Sequence, residues 1–247
     1  MAETVKQDTA DARATPPEAD RSLLSGIQLL SDLKRDDLTA VERACRYKRF
    51  TAHEQIIDRD SVTTDVFFVV RGRVRVVNYS VSGREIAFDD LAQGSYFGEL
   101  SALDGQLRSA SVMALEDSLI VALPRRIFLE LLAKHPKVAL KAMLRLARIV
   151  RASNDRIMDL STLVANNRVQ AELLRQAREH MVDDVHARIA PIPVHSDIAS
   201  RVSTTRETAA RVMNDLARQG VVERTKDSLL IRDVDVLQGM VEEVRGE

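Results

Sequence analysis

The chain has 247 residues, of which 45% are hydrophobic and 30% charged, with a net charge of −1; this length allows one large domain or two modest ones. Its single cysteine, Cys45, excludes an intrachain disulfide and any metal cluster held only by thiolates of one chain. There is no apolar run long enough to span a bilayer and no apolar core of a signal peptide, so we expect a cytoplasmic protein without a membrane partner.

The N-terminal part is predicted to be a tail followed by helices. Residues 1–20 hold few large apolar side chains and two adjacent prolines, which predicts a disordered tail, to which no function is assigned. From about Arg21 to Arg49, apolar residues recur at spacings of three and four, which indicates helices. Ser31, followed by acidic residues, is the predicted cap of the second of two short helices.

From Thr51 to about Leu123 the hydrophobic period changes to two. The segment DVFFVVRGRVRVVNYSVSGREIAF is rich in β-branched and aromatic residues, and Gly83 after Ser82 predicts the tight turn of a hairpin. Further short strands follow with regular turns. We therefore predict an antiparallel barrel or roll.

After a short helix that ends before Pro136, a long run lacks proline and glycine, from Lys137 to about His180. Within it, positions spaced alternately three and four apart form a heptad seam, which is typical of a helix that pairs with another helix. The seam residues are Met143, Leu146, Val150, Ser153, Ile157, Leu160 and Val164. The pattern also fits a helix packed within its own domain. The polar Ser153, with Asn154 beside it, either fixes the register of a dimer or serves another purpose.

The last region is predicted to contain two helices joined by a tight turn and then a small hairpin. Ser196 or His195 is expected to open the first helix, and Thr204 or Thr205 to cap the second, which ends at Gly220. This is the pattern of a helix-turn-helix, with Ser203 where the turn usually has glycine.

Two motifs carry a resemblance to a known family. The stretch YFGELSALDGQLRSASV looks like the phosphate-binding cassette of the cyclic-AMP receptor (CRP/FNR) family of bacterial transcription regulators, and TTRETAARVMNDL is similar to the recognition helix of that family. The match extends from about Leu24 to Arg232. It implies an α+β fold with a disordered tail at 1–20, a jelly-roll-like cyclic-nucleotide-binding β-roll at 21–135, a dimerisation helix at 136–165 and a C-terminal winged helix-turn-helix at 166–247.

The resemblance implies a cyclic-nucleotide effector, bound without any covalent cofactor or metal. In the cassette (residues 96–112), Arg108 and Ser109 match residues that bind the cyclic phosphate, and Glu99 matches the carboxylate that accepts a hydrogen bond from the ribose hydroxyl. The full set of matched ligand-site residues is Gly98, Glu99, Leu100, Arg108, Ser109, Ser153 and Asn154. From the resemblance, we expect the effector to be cyclic AMP rather than cyclic GMP. From the residues alone, Glu99 and Arg108 also fit an ordinary ion pair.

The resemblance also implies a homodimer that binds double-stranded DNA, with RNA polymerase as a candidate partner. Arg206 and Arg211 are suited to guanine and Glu207 to cytosine, in a palindrome of TGTGA-like half-sites. The DNA-contacting candidates are Thr204, Thr205, Arg206, Glu207, Thr208, Arg211 and Lys226. Glu207 and Arg211 also fit an ordinary i,i+4 pair on one helix.

Two departures and several rival functions accompany this resemblance. Asp60 replaces a glycine that the family often has, and Val194 replaces a threonine cap. One cysteine is too few for an iron–sulfur sensor, and His53 or Cys45 is expected to be structural or exposed rather than a haem ligand. An enzyme is not expected, because no nucleophile elbow, zinc spacing or P-loop is present. A cyclic-nucleotide regulatory subunit acting on a protein partner remains an alternative, which the recognition helix disfavours.

Overall fold

The structure, a computed structural model, describes residues 22–245, so the tail predicted at 1–20 lies outside the described residues. The chain packs as two units. Among the described residues, the first comprises 22–76 and 89–143, and the second comprises 77–88 and 144–245. Each unit has its own hydrophobic core. No helix within 22–245 is both long and apolar enough to cross a bilayer.

The first unit begins with two short 3-10 turns, Leu23–Gly26 and Gln28–Leu30, and helix α1, Arg35–Arg43. The prediction of Ser31 as a helix cap is wrong: its hydroxyl donates to Gln28 O at the end of a 3-10 turn, whereas Lys34 is the N-cap of α1. The helical prediction also extends too far, because strand β1 (Arg46–Phe50) lies inside it. β1 pairs antiparallel with a strand more than 65 residues later, a partner that local periodicity does not reveal.

The predicted antiparallel roll is present as two four-stranded sheets. After β1 come β2 (Gln55–Ile57), β3 (Val66–Arg71), β4 (Arg73–Tyr79), β5 (Glu85–Ala92), β6 (Tyr96–Phe97), α2 (Glu99–Asp104), β7 (Ser111–Ala114), β8 (Ser118–Leu123) and α3 (Arg125–Lys134). The sheet orders are β1-β8-β3-β6 and β2-β7-β4-β5. Phe68 and Val69, neighbours on β3, are both fully buried, each in a different hydrophobic cluster. α2 interrupts the strands at the predicted cassette.

The hairpin between β4 and β5 turns at the predicted position. Ser80 and Arg84 close it through a backbone hydrogen bond of 2.9 Å, and Gly83 has φ +77°. An L side chain rarely adopts this conformation, which is the reason for glycine at this turn.

The long helix α4 (Pro136–Thr162) is followed by α5 (Ala165–Glu179), so the run predicted as helical to about His180 is broken once. Val164, the last predicted seam residue, is not on α4: it is extended, with φ −71° and ψ 161°, and is the N-cap of α5. The preceding Leu163 is only 4% exposed and belongs to the core of the second unit. The helix therefore breaks at two residues that are neither proline nor glycine, of which Leu163 is buried and Val164 is exposed.

The C-terminal part is a winged helix-turn-helix. Its elements are β9 (Ala187–Ile189), α6 (His195–Arg201), α7 (Arg206–Arg218), β10 (Val222–Arg224), β11 (Leu229–Ile231) and α8 (Val234–Arg245). The strands form a sheet in the order β10-β11-β9. α8 and β9 were not anticipated from the sequence, although Leu237 and Val241 of α8 are fully buried in the core of this unit. The α+β fold class is confirmed.

Candidate functional site

The cassette turns at Gly98, between β6 and α2. Gly98 has φ +82°, and a Cβ added there would lie 2.7 Å from Nη1 of Arg108 and 3.0 Å from the backbone oxygen of Asp65. Real Cβ atoms essentially never approach other heavy atoms at 2.7 Å. Both the backbone conformation and the space therefore require glycine, as the resemblance implies.

Arg108 is buried against this turn, with 3% of its surface exposed. Its guanidinium donates from Nη1 to Gly98 O (2.9 Å), from Nη2 to Asp65 O (2.7 Å) and from Nε to the Thr63 hydroxyl (3.1 Å). The guanidinium carbon lies 5.5 Å from the centroid of the Phe67 ring. These contacts hold the guanidinium in one orientation and use three of its five N–H groups.

The guanidinium of Arg108 is partly shielded from water, and two nearby carboxylates favour its charged form. Burial lowers the pKa of Arg108, and the nearby carboxylates of Asp65 and Glu99 act in the opposite direction. Glu99, the first residue of α2, is 5% exposed. The three hydrogen bonds of Arg108 described above go to Gly98 O, Asp65 O and the Thr63 hydroxyl, and the Glu99 carboxylate is close enough to act on the charge of Arg108.

The loop between β2 and β3 supports the backbone of Arg108 as well as its side chain. Asp60 N donates to Arg108 O (3.0 Å), Arg108 N donates to Ser61 O (3.1 Å), and Arg59 N donates to the Ser111 hydroxyl (3.0 Å). Asp60 has φ +64°, a conformation that favours glycine, which agrees with the glycine that the resemblance implies at this position. Thr63, which accepts from Arg108 Nε, was not identified from the sequence, because it belongs to no recognisable motif.

The remaining ligand-site candidates are exposed. Leu100 is 39% exposed, and Ser109 is exposed at the end of the cassette. Ser153 and Asn154 are exposed on α4 in the second unit, whereas the cassette belongs to the first. The structure therefore brings Gly98, Glu99 and Arg108 together, while Ser153 and Asn154 remain predictions.

Most of the predicted seam is an exposed apolar stripe. Met143, Val150, Ile157 and Leu160 are 57%, 58%, 60% and 42% exposed, and Leu146 is half-buried. Leu140, Leu144 and Met158 on the same helix are also about half exposed. This amount of exposed apolar surface on one helix is typical of an interaction surface.

The second helix of the helix-turn-helix begins at the predicted cap. The Thr205 hydroxyl accepts a hydrogen bond from Thr208 N at 3.2 Å, and Arg206 and Glu207 follow, both exposed. Hydrogen bonds from its own backbone N–H and from the Thr205 hydroxyl lower the pKa of Glu207, and Arg206 adds to this. Glu207 therefore presents a charged acceptor at the start of α7.

The other DNA-contacting candidates lie on the same domain. Arg211 is exposed and donates to Oδ1 of Asn166 on α5 at 3.2 Å; within the described residues it does not form the i,i+4 ion pair with Glu207. Thr204 is half-buried, and its N–H donates to Ala199 O. Lys226 is exposed in the turn between β10 and β11, as predicted.

The turn between α6 and α7 is held by an arginine that sequence reasoning did not identify. Ser203 has φ +53°, so this serine adopts the conformation that the usual glycine adopts. Arg168 on α5 donates to Val202 O (2.9 Å), Ser203 O (3.4 Å) and Leu163 O (2.8 Å). Val194 is the N-cap of α6 without a side-chain hydrogen bond, as its replacement of threonine predicts.

No cluster of three or more metal-ligating side chains exists among residues 22–245. Cys45 is half-buried, its Sγ donates to Val41 O at 3.2 Å, and burial raises the pKa of its thiol to about 12. His53 is exposed in a turn with φ +67°. His53 is thus exposed and Cys45 is half-buried.

Comparison with known proteins gives two family matches. Residues 47–135 match the cyclic nucleotide-binding domain, and residues 167–240 match the Crp-like helix-turn-helix domain. The first match contains the cassette, and the second contains α6 and α7.

Among similar proteins, the cyclic AMP receptor protein of Thermus thermophilus is 34% identical over 173 residues, covering 70% of this chain and 77% of that protein. The CRP-like cAMP-activated global transcriptional regulator of Mycobacterium tuberculosis is 26% identical over the same length. Among solved structures, a CooA mutant from Carboxydothermus hydrogenoformans has a similar fold, with a TM-score of 0.75 and 22% identity over 90% of this chain and 97% of that one. FixK2 from Bradyrhizobium japonicum has a TM-score of 0.66 and 22% identity, over 79% of this chain and 96% of that one.

Proposed function

The chain belongs to the CRP/FNR family of transcriptional regulators, and from this premise we propose that it is a homodimer whose binding to a palindromic DNA site is controlled by cyclic AMP. The observation that carries the proposal is Arg108, buried and held beside Gly98 and Glu99. A buried cation with defined orientation is suited to an anionic ligand. Of its five N–H groups, two are not used by the three bonds described, and these would donate to the cyclic phosphate.

One further consideration favours cyclic AMP as the effector. The similar proteins of Thermus thermophilus and Mycobacterium tuberculosis carry names that refer to cyclic AMP. Glu99 would accept from the ribose hydroxyl, which cyclic AMP and cyclic GMP share, so this contact does not discriminate between them. Asn154 has both a donor and an acceptor and would face the adenine amino group, with Ser153 beside it. Cyclic GMP is the alternative, since Ser109 and Asn154 also suit guanine.

The exposed stripe on α4 supports a homodimer. Met143, Val150, Ile157 and Leu160 repeat at heptad spacing, and two copies of the helix would cover each other's stripe. Such a dimer would present two recognition helices to half-sites about 34 Å apart on DNA. We place RNA polymerase as a candidate further partner of a DNA-bound regulator, acting in the cytoplasm and without enzymatic activity of its own.

The exposed face of α7 supports sequence-specific DNA binding. Arg206 and Arg211 each have the fork that donates to both O6 and N7 of guanine, and Glu207 would accept from cytosine N4. Thr204, Thr205 and Thr208 at the helix start would contact phosphates, as would Lys226 in the wing. These residues lead us to propose TGTGA-like half-sites.

The test is fluorescence anisotropy of a labelled palindromic TGTGA-type duplex at fixed salt, titrated with protein alone, with cyclic AMP and with cyclic GMP. We expect cyclic AMP to tighten binding. Stronger tightening by cyclic GMP would reassign the effector, and tight binding without either nucleotide would contradict nucleotide control. Nucleotide binding without DNA binding would instead indicate a regulatory protein with a protein partner.

One substitution tests the proposed nucleotide site, and another tests the proposed DNA-binding site. Arg108→Leu is expected to abolish the effect of cyclic AMP on DNA binding. An unchanged effect would contradict the assignment of Arg108 to the nucleotide site. Arg206→Ala is expected to reduce discrimination against a changed base pair by about 1–3 kcal/mol, whereas Arg218→Ala, at the far end of α7 and paired with Asp215, is the control that leaves sequence choice unchanged.

A further inference from the structure

Arg156 on α4 joins two parts of the second unit that are far apart in sequence. Its Nη1 donates to the backbone oxygen of Ala87, on β5 just after the β4–β5 hairpin, at 2.7 Å. Its Nη2 lies 3.5 Å from the backbone oxygen of Ser200 in the last turn of α6, the first helix of the helix-turn-helix. One guanidinium therefore contacts both the hairpin and the helix that precedes the recognition helix.

The surroundings of Arg156 hold it in this position. The guanidinium carbon is 5.4 Å from the ring centroid of Phe88, which follows Ala87. Burial lowers the pKa of Arg156, and the nearby carboxylate of Glu172 acts in the opposite direction. Glu172 is 8% exposed and accepts hydrogen bonds from Arg175 and Gln176. A planar fork between two carbonyl groups, with a ring on one side, is an arrangement that lysine does not reproduce.

Arg156 also lies close in sequence to the proposed base contacts. Ser153 is three residues earlier on α4, so the two side chains are neighbours on one face of the helix. The hairpin strand β5 continues from Ala87 and Phe88 into the roll of the first unit. A ligand that contacts Ser153 acts on α4, and a ligand that shifts β5 acts on the strand that holds Ala87. Arg156 connects both elements to α6.

We propose that Arg156 is the positioning residue that transmits nucleotide binding to the helix-turn-helix, through its paired contacts with Ala87 and Ser200. The proposal rests on the proposed function, because it assigns the coupling between the two sites to one side chain. Coupling of this kind is reciprocal: DNA and nucleotide must change each other's affinity by the same factor. The coupling factor can therefore be measured from either ligand, and a loss of stability alone does not change it.

The chain offers a matched control in Arg168. This arginine also donates to carbonyl groups at the end of α6, Val202 O and Ser203 O, but its third partner is Leu163 O rather than the hairpin. Arg168→Gln therefore weakens the support of the same turn without breaking a contact to β5. It is expected to weaken DNA binding by a similar factor with and without nucleotide.

The experiment measures DNA affinity of the full-length protein by anisotropy with and without cyclic AMP, and nucleotide affinity by calorimetry with and without DNA. For Arg156→Gln we expect nucleotide binding to free protein within about threefold of wild type, and both coupling factors reduced by about fivefold or more, within the range typical of allosteric coupling. Arg156→Lys is expected to lie between Arg156→Gln and wild type. The coupling factor of Arg168→Gln is expected to stay within about twofold of wild type.

The proposal is overturned if the coupling factors of Arg156→Gln fall by less than about fivefold, or if those of Arg168→Gln fall by as much as those of Arg156→Gln. If circular dichroism shows that Arg156→Gln does not fold, Arg156→Lys decides: a coupling factor below about half of the wild-type value supports the proposal, and a factor of about half or more overturns it. A wild-type protein with no coupling at all would refute the proposed function instead, so the two failures are distinguishable.

Discussion

Replacing Gly98 with alanine adds one methyl group beside the guanidinium of Arg108. The added Cβ would lie 2.7 Å from Arg108 Nη1, 3.0 Å from Asp65 O and 3.3 Å from Cδ2 of Phe67. The guanidinium must therefore move away from the turn. Because Nη1 donates to Gly98 O at 2.9 Å, that movement weakens the hydrogen bond that orients the group.

The expected cost has two parts. Alanine at φ +82° is strained by about 1–2 kcal/mol, of which about 0.4–1 kcal/mol is offset because alanine restricts the unfolded chain. Loss of one hydrogen bond to the charged guanidinium adds about 1.5–3 kcal/mol. The second part acts on the orientation of Arg108, so we expect the affinity for cyclic AMP to fall about tenfold or more, which corresponds to about 1.4 kcal/mol.

Gly105 at the other end of α2 provides the control. It has φ +74°, but an added Cβ would approach only Nη2 of Arg125, at 3.7 Å, an ordinary contact. Gly105→Ala is therefore expected to carry the backbone strain without displacing Arg108, and to bind cyclic AMP within about threefold of wild type. Calorimetric titration of both variants makes the comparison. Equal affinities for the two variants would refute the assignment of Arg108 as an oriented phosphate ligand.

Three further changes test the second unit by thermal unfolding. Thr205→Ala removes the hydroxyl that caps α7 and is expected to cost about 1 kcal/mol, measured without DNA because Thr205 is also a proposed phosphate contact; no loss would contradict the capping role. Ser203→Val places a β-branched residue at φ +53° and is expected to cost about 1–3 kcal/mol, whereas Ser203→Gly should stay within about 1 kcal/mol of wild type. Hydrogen bonds from the His186 and Val185 N–H groups lower the pKa of Asp183 from 3.8 to about 2, so its stabilisation is present above pH 3.8 and is lost as the pH falls towards 2. Asp183→Asn should therefore lower the melting temperature at pH 7, with a difference that narrows as the pH falls from about 4 to 2; a difference that stays constant over this range would contradict the assignment.

The sequence predicted the turns and helix ends that depend on residues close to one another in the chain. Gly83 lies in the β4–β5 turn, Pro136 follows the end of α3, and Thr205 caps α7 by accepting from Thr208 N, three positions away. The break between α4 and α5 contains neither proline nor glycine, so hydrophobic periodicity did not reveal it, and an end of the long helix at 165 came only from the resemblance. α8 carried a local signal that the sequence analysis did not use: Val234, Leu237 and Val241 recur at helical spacings of three and four, and all three are buried.

The arginines that organise the two candidate sites show why the rest was not visible in the sequence. Arg108, Arg156 and Arg168 all donate to backbone oxygens, and the acceptors lie 43, 69 and 34 residues away, at Asp65, Ala87 and Val202. Every residue has a carbonyl oxygen, so these acceptors leave no side-chain pattern that a reader of the sequence can recognise. The cassette identified Arg108 only because its own neighbours form a motif, whereas Arg156 and Arg168 lie on helices whose polar positions look ordinary. For the same reason, substitutions at Asp65, Ala87 or Val202 that preserve the backbone should leave these bonds in place, while substitution of the arginines removes them.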